Sequence, residues 1–131
     1  MNCSTEMRDE NQLKSLRPEI ITDKVDFNSN ERFQNETLRQ ILKFQHPLFV
    51  SLLKNRKEFA PVLIKEIPIE KRRIVLKQLL SKQTYLKYFL IGQICGLMTN
   101  EEFDFYLVNK QELDKRITSM LCDRILSVDL S

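Results

Sequence analysis

At 131 residues, with a formal net charge of +3 and 42% hydrophobic side chains, the chain has the size of one domain and enough apolar content for a core, which excludes an intrinsically disordered protein. Its longest apolar run, residues 85–98, is interrupted by Lys87 and Gln93 and falls short of the roughly 20 residues that a membrane-spanning helix needs. One histidine and three cysteines without CxxC spacing leave no multi-histidine metal set, and nothing has the spacing of a phosphate loop, a dinucleotide fingerprint or a zinc motif.

Residues 1–28 show neither the 3.6 nor the 2 period, contain Pro18, and read as a flexible arm ahead of a helical domain over 29–131. Within the arm, Ile20, Ile21, Val25 and Phe27 could dock on the core. The N-terminus has no basic start followed by an apolar stretch, so no export signal is expected. With Cys3, Cys95 and Cys122 reading as free thiols, the expected location is cytoplasmic.

Asn28-Ser29-Asn30 supply N-cap chemistry for the first periodic stretch. Between Phe33 and Phe59 ten apolar residues, Phe33, Leu38, Ile41, Leu42, Phe44, Leu48, Phe49, Leu52, Leu53 and Phe59, fall within an arc of about 200° on a helical wheel. Pro47 lies on the polar side and the apolar phase continues past it. The pattern therefore predicts one long first helix, kinked at Pro47, with the proline and His46 toward solvent. Pro61 and Pro68 bracket a short turn or connection, Val62 to Ile67. Pro68 then opens a second helix to about Ser81, with a narrow stripe of Ile69, Leu76, Leu79 and Leu80 and a basic opposite side.

The third helix carries both glycines of the chain, Gly92 and Gly96. Their absence from turns argues against hairpins and for an all-α fold. Apolar residues on every side of this helix mark it as central, buried among others. Thr99 to Glu102 fits a capping box stapled by Met98 and Phe103, and Asn109 to Glu112 resembles the same device. These open a short fourth helix and a terminal one to about Val128, whose apolar face of Leu113, Ile117, Met120, Leu121 and Ile125 surrounds Arg124. The expected architecture is a single compact bundle of four to five helices with a central glycine-bearing helix.

Gly92 and Gly96 share a face with Tyr85 and Phe89. Each glycine costs a helix interior about 0.8–1.0 kcal/mol relative to alanine, so the pair needs compensation. Close approach of a neighbouring helix of the same chain is the leading expectation. A symmetric dimer contact, or a ligand slot walled by Tyr85, Tyr88 and Phe89, is the alternative. Arg124, in an apolar face, must pair or snorkel. Glu102, Asp104 and Asp123 are candidate partners, and an anion-binding pocket near Arg124 or Arg39 is the alternative. Residues 54–87 carry ten basic and three acidic side chains. Arg72, Arg73, Lys77 and Lys82 could meet nucleic-acid phosphates, but without aromatic interleaving or a helix-turn-helix glycine they read first as a solvated helix face. Cys95 and Cys122 read as small core or edge residues.

The segments 33–45, 89–96 followed by Glu102-Phe103, and 113–117 resemble an uncharacterised family of small bacterial helical proteins often labelled glyoxalase automatically, over roughly residues 17–128. The resemblance implies a helical fold and a bacterial origin. It implies no activity, because glyoxalase I-type enzymes use paired βαβββ modules and several His and Glu metal ligands, against one histidine and no alternating strand pattern here. The function expected is a non-enzymatic protein-interaction or regulatory domain that self-associates through an apolar helix surface. A small-ligand or anion-binding protein comes second, and a weak nucleic-acid binder through residues 71–87 third. No cofactor, catalytic residue or metal ligand is implied, and the expected partner is a protein or a second copy rather than nucleic acid or membrane.

Overall fold

The computed structural model describes residues 9–17 and 29–128, and among these all regular structure is helical. The Asp9 carboxylate accepts from the backbone N–H groups of Asn11 and Gln12 and so starts α1 (Glu10–Leu16). This helix lies within the span that reads as a flexible arm. The rest of that span, including the apolar residues expected to dock, is outside the described residues. Since α1 buries none of its own side chains, what ties it down is the residue after it. Arg17 is only 7% exposed and forks onto Glu102, Nη1 to Oε1 at 2.6 Å and Nη2 to Oε2 at 3.0 Å.

The long first helix forms as α2 (Ser29–Phe33), a π-helical turn (Gln34–Leu38) and α3 (Arg39–Asn55), with helical backbone at both junctions. Phe33, Leu38, Ile41, Leu42, Phe49 and Leu53 line its buried side. Pro47 lies inside α3 and is exposed, as the apolar phase predicts. His46 differs from expectation: it is half-buried, and its Nδ1 is buried without a hydrogen-bond partner among the described residues. Proline lacks the N–H that would bond the carbonyl one turn earlier. Replacing Pro47 by alanine is therefore expected to raise stability by about 1–3 kcal/mol, read from the urea midpoint. A midpoint that falls would mean that the packing of Phe49 and Leu53 depends on the proline.

The pattern carries the first helix to Phe59, but α3 stops at Asn55, where Arg56 turns extended (φ −115°, ψ 114°). Lys57–Leu63 is a 3-10 helix that buries Phe59 and Val62 and contains Pro61. A short tight helix suits a segment whose proline has no N–H for an α-helical ladder. Pro68 precedes α4 (Ile69–Lys82), followed by α5 (Thr84–Cys95), α6 (Asn100–Val108) and α7 (Lys110–Leu126).

The Thr99 capping box forms in full: Thr99 Oγ1 accepts from the Glu102 N–H at 3.1 Å, and Glu102 Oε1 accepts from the Thr99 N–H at 2.8 Å. The second box does not. Asn109 is the single link between α6 and α7, and its side chain turns back to donate to the Phe105 carbonyl at 3.1 Å. Glu112 instead accepts from Asn30 and Arg116.

The described residues thus hold seven α-helices rather than four to five, because residues 10–16 form α1 and the π turn divides the first helix. The core lies where α5 and α7 pack on each other and on both α3 and α4, with α6 against α7. Ile41, Phe49, Leu76, Ile94 and Ile117 are fully buried there. The central helix is not buried all round. α5 turns Leu86, Leu90, Ile91 and Ile94 inward and leaves Tyr85, Tyr88 and Phe89 exposed. Its neighbours α3, α4 and α7 all sit on the inward side, so an all-round apolar wheel gave a helix with one open aromatic face. No helix among the described residues is long and apolar enough to cross a membrane.

Candidate functional site

Gly92 lies on the outer face of α5, whereas Gly96, expected inside the same helix, is its C-cap, because α5 ends at Cys95. Among the described residues, a Cβ built at Gly92 meets no atom within 4 Å, and one at Gly96 meets the carbonyls of Gly92 at 3.4 Å and Gln93 at 3.9 Å. Contrary to expectation, no neighbouring helix among the described residues fills the space at Gly92. Nor does backbone conformation require glycine, since no described residue has positive φ. Beside the gap stand Tyr85, 78% exposed, and Phe89, 43% exposed, their rings stacked at 6.4 Å.

A hydrogen bond from Gln45 Nε2 to the Gln93 carbonyl, 2.8 Å, fixes how α3 lies alongside α5. On α3, the exposed Phe44 and Leu48 fall on the side of Gln45 away from the core. On α5, Phe89, Gly92 and Gly96 fall on the side of Gln93 away from the core. The two sets therefore flank one seam on one surface. At the other edge of the α5 face, Lys110 Nζ lies 4.9 Å from the centre of the Tyr88 ring.

Behind Tyr88 is a buried polar network that the sequence did not suggest. Tyr106 Oη donates to Asp114 Oδ1 at 2.5 Å, and Lys110 Nζ bonds Asp114 Oδ2 at 2.6 Å. Burial, with the Asp114 hydrogen bond next, pushes the Tyr106 hydroxyl far above its ordinary range. Burial, with the Asp114 charge next, pushes the nearby Cys95 thiol up to about 11. Burial also raises Cys122. Both stay protonated near neutral pH, which makes them poor nucleophiles.

Arg124 does not reach any of the three carboxylates suggested as partners. It is half-buried and lines a cleft of about 450 Å³ between the π turn, the start of α3 and α7, with Arg39 on the facing wall. Burial and then the Arg39 charge both lower its pKa. The same Arg124 charge, after burial, lowers His46. Two arginines that the sequence offered separately thus converge on one cleft.

The basic segment disperses. Arg72 turns inward, its Nε donating to the Ile67 carbonyl at 2.9 Å, and Arg73 pairs with Asp123 at 2.6 Å. Lys77 and Lys87 line a separate 340 Å³ cleft with Lys115 and Cys122, while Lys82 is exposed at the end of α4. A continuous stripe for nucleic-acid phosphates requires these side chains to converge, and Arg72 and Arg73 are already engaged within the chain.

Set beside protein-family models, curated proteins and solved structures, the chain shows no significant match in any of the three, so its function has to be argued from these surfaces.

Proposed function

We propose that the protein is a helical interaction module that associates with a second copy of itself through the outer face of α5. The observation that carries this reading is the order of side chains on that face: bulky at Tyr85 and Phe89, absent at Gly92 and Gly96. When two such helices meet antiparallel about a two-fold axis midway between Phe89 and Gly92, each Phe89 falls opposite a Gly92. Each Tyr85 then falls opposite a Gly96. Every ring meets a gap, which is the self-complementarity an isologous contact needs.

Gly92, inside α5, costs about 0.8–1.0 kcal/mol relative to alanine, while Gly96 is the C-cap, and the open space at Gly92 offers no compensating contact among the described residues. Between two copies, missing side chains let the axes approach at the short end of the usual range of about 8–10 Å. Burying the rings, each of roughly 150–250 Å² when fully covered, offsets the glycine cost. Phe44 and Leu48 widen the same apolar face. The resemblance to small bacterial helical proteins, carried here as part of the proposal, fits such a non-catalytic role and adds no activity.

Sedimentation equilibrium from micromolar to millimolar concentration tests this. The native protein is expected to dimerise and Gly92→Leu to remain monomeric. Because a Cβ at 92 meets nothing among the described residues, that variant should keep its stability or gain about 0.5–1 kcal/mol. The swap Phe89→Gly with Gly92→Phe keeps one ring opposite one gap and is expected to restore association. A native protein that stays monomeric at millimolar concentration, or a Gly92→Leu variant that dimerises undiminished, overturns the reading.

A further inference from the structure

The flank of α3 opposite the α5 seam carries a second surface, the cleft of Arg39 and Arg124. We propose that it binds a small organic phosphate monoester, the phosphate gripped by both arginines and the apolar body resting on Leu42 and Met120.

Charge comes first. Neither guanidinium has an ion pair among the described residues. The carboxylate on the cleft wall is engaged elsewhere: Asp123 takes Arg73 at 2.6 Å. The free protein therefore holds two like charges across a partly desolvated cleft, and burial together with Arg39 already disfavours the charge on Arg124. A dianion between them removes the repulsion, and guanidinium forks match phosphate oxygens two at a time.

Geometry comes second. In an ordinary α-helix residues i and i+5 point about 140° apart. The wider π turn over Gln34–Leu38 brings Gln34, Asn35 and Arg39 onto one wall. Such turns are rare and recur at functional sites. Arg116 holds Gln34 Oε1 at 2.9 Å, which leaves the Gln34 amide nitrogen as a donor beside the Asn35 amide. The volume of about 450 Å³ falls in the range that small-molecule sites occupy. Leu42 is buried and Met120 half-buried, giving the floor an apolar part that inorganic phosphate cannot use.

Isothermal titration calorimetry with phenyl phosphate, at ionic strength held constant with sodium chloride, tests the proposal. One saturable site is expected, with inorganic phosphate binding more weakly. Arg124→Gln and Arg39→Gln should each weaken phenyl phosphate at least about tenfold. Arg39 is exposed, so its variant carries little folding risk. Arg124→Gln, relieved of a desolvated and repelled charge, should unfold at the same or a higher urea midpoint without ligand. Lys115→Gln, in the separate lysine cleft, should leave binding unchanged. No saturable heat, equal binding by both arginine variants, or a loss in Lys115→Gln instead overturns the assignment.

Discussion

Glu102→Ala is expected to destabilise the protein by about 3–5 kcal/mol, the range for breaking a buried ion pair from one side. The Glu102 carboxylate accepts from both Arg17 Nη atoms, from Thr37 Oγ1 at 2.9 Å and from the Thr99 N–H. Its removal leaves the guanidinium, whose Nε is already buried without a partner, only the Leu97 carbonyl at 3.4 Å among the described residues, opens the α6 cap and leaves the buried Thr37 hydroxyl without its carboxylate. The effect also has a pH signature. Burial raises the Glu102 pKa, but the hydrogen bonds from Arg17, Thr99 and Thr37 together outweigh it, so the folded value lies below the ordinary 4.5. As pH falls below 4.5, the unfolded chain takes up this proton first. The stabilisation is therefore complete at neutral pH and disappears as pH drops through the lower folded value. Urea titrations of the native protein and Glu102→Gln from neutral to acid pH check this: the native midpoint should fall more steeply. Parallel acid slopes, or a Glu102→Ala loss below about 1 kcal/mol, would show that this carboxylate does not hold residues 9–17 in place.

This latch marks a limit of what the sequence made legible. The Thr99 capping box could be read because its two reciprocal bonds span three residues. Arg17 stands 85 residues from Glu102 in a stretch without period, so no local signal joins them. The phase of α3 was legible past Pro47 because the apolar positions on both sides of it outvote one proline. The π turn was not, since one widened turn shifts the wheel too little to separate it from scatter. Arg124 was recognisable as a charge in an apolar face, whereas its meeting with Arg39 depends on how α3 packs on α7, which no spacing encodes. The glycine helix shows the same boundary from the other side. Periodicity reports that α5 has apolar residues all round, but not whether its outer face is covered within the monomer or left open. Only the packing of α3, α4 and α7 on one side decides that.

Phe59→Ala is expected to cost about 3–5 kcal/mol, as large as breaking the latch, for a different physical reason. The ring is 0% exposed, yet it sits on a 3-10 helix that packs against both α3 and α4 rather than on a long helix of its own. A cavity costs most where its walls cannot close. Here the Phe59 N–H is held by the Arg56 carbonyl at 3.2 Å, while Arg72 Nε bonds the Ile67 carbonyl beyond. The segment is thus pinned at both ends, and Leu53 and Leu76, on the two helices it packs against, are themselves buried. Little of the lost volume can be recovered by collapse. Phe44→Ala supplies the contrast, since that ring is partly exposed on the α3 flank of the α5 face. It should change the monomer's urea midpoint by less than about 0.5 kcal/mol while weakening self-association. Measured at concentrations too low for dimer, the two phenylalanines should separate by at least about 2.5 kcal/mol in folding. Comparable losses would place Phe44 in the core and remove it from the proposed contact.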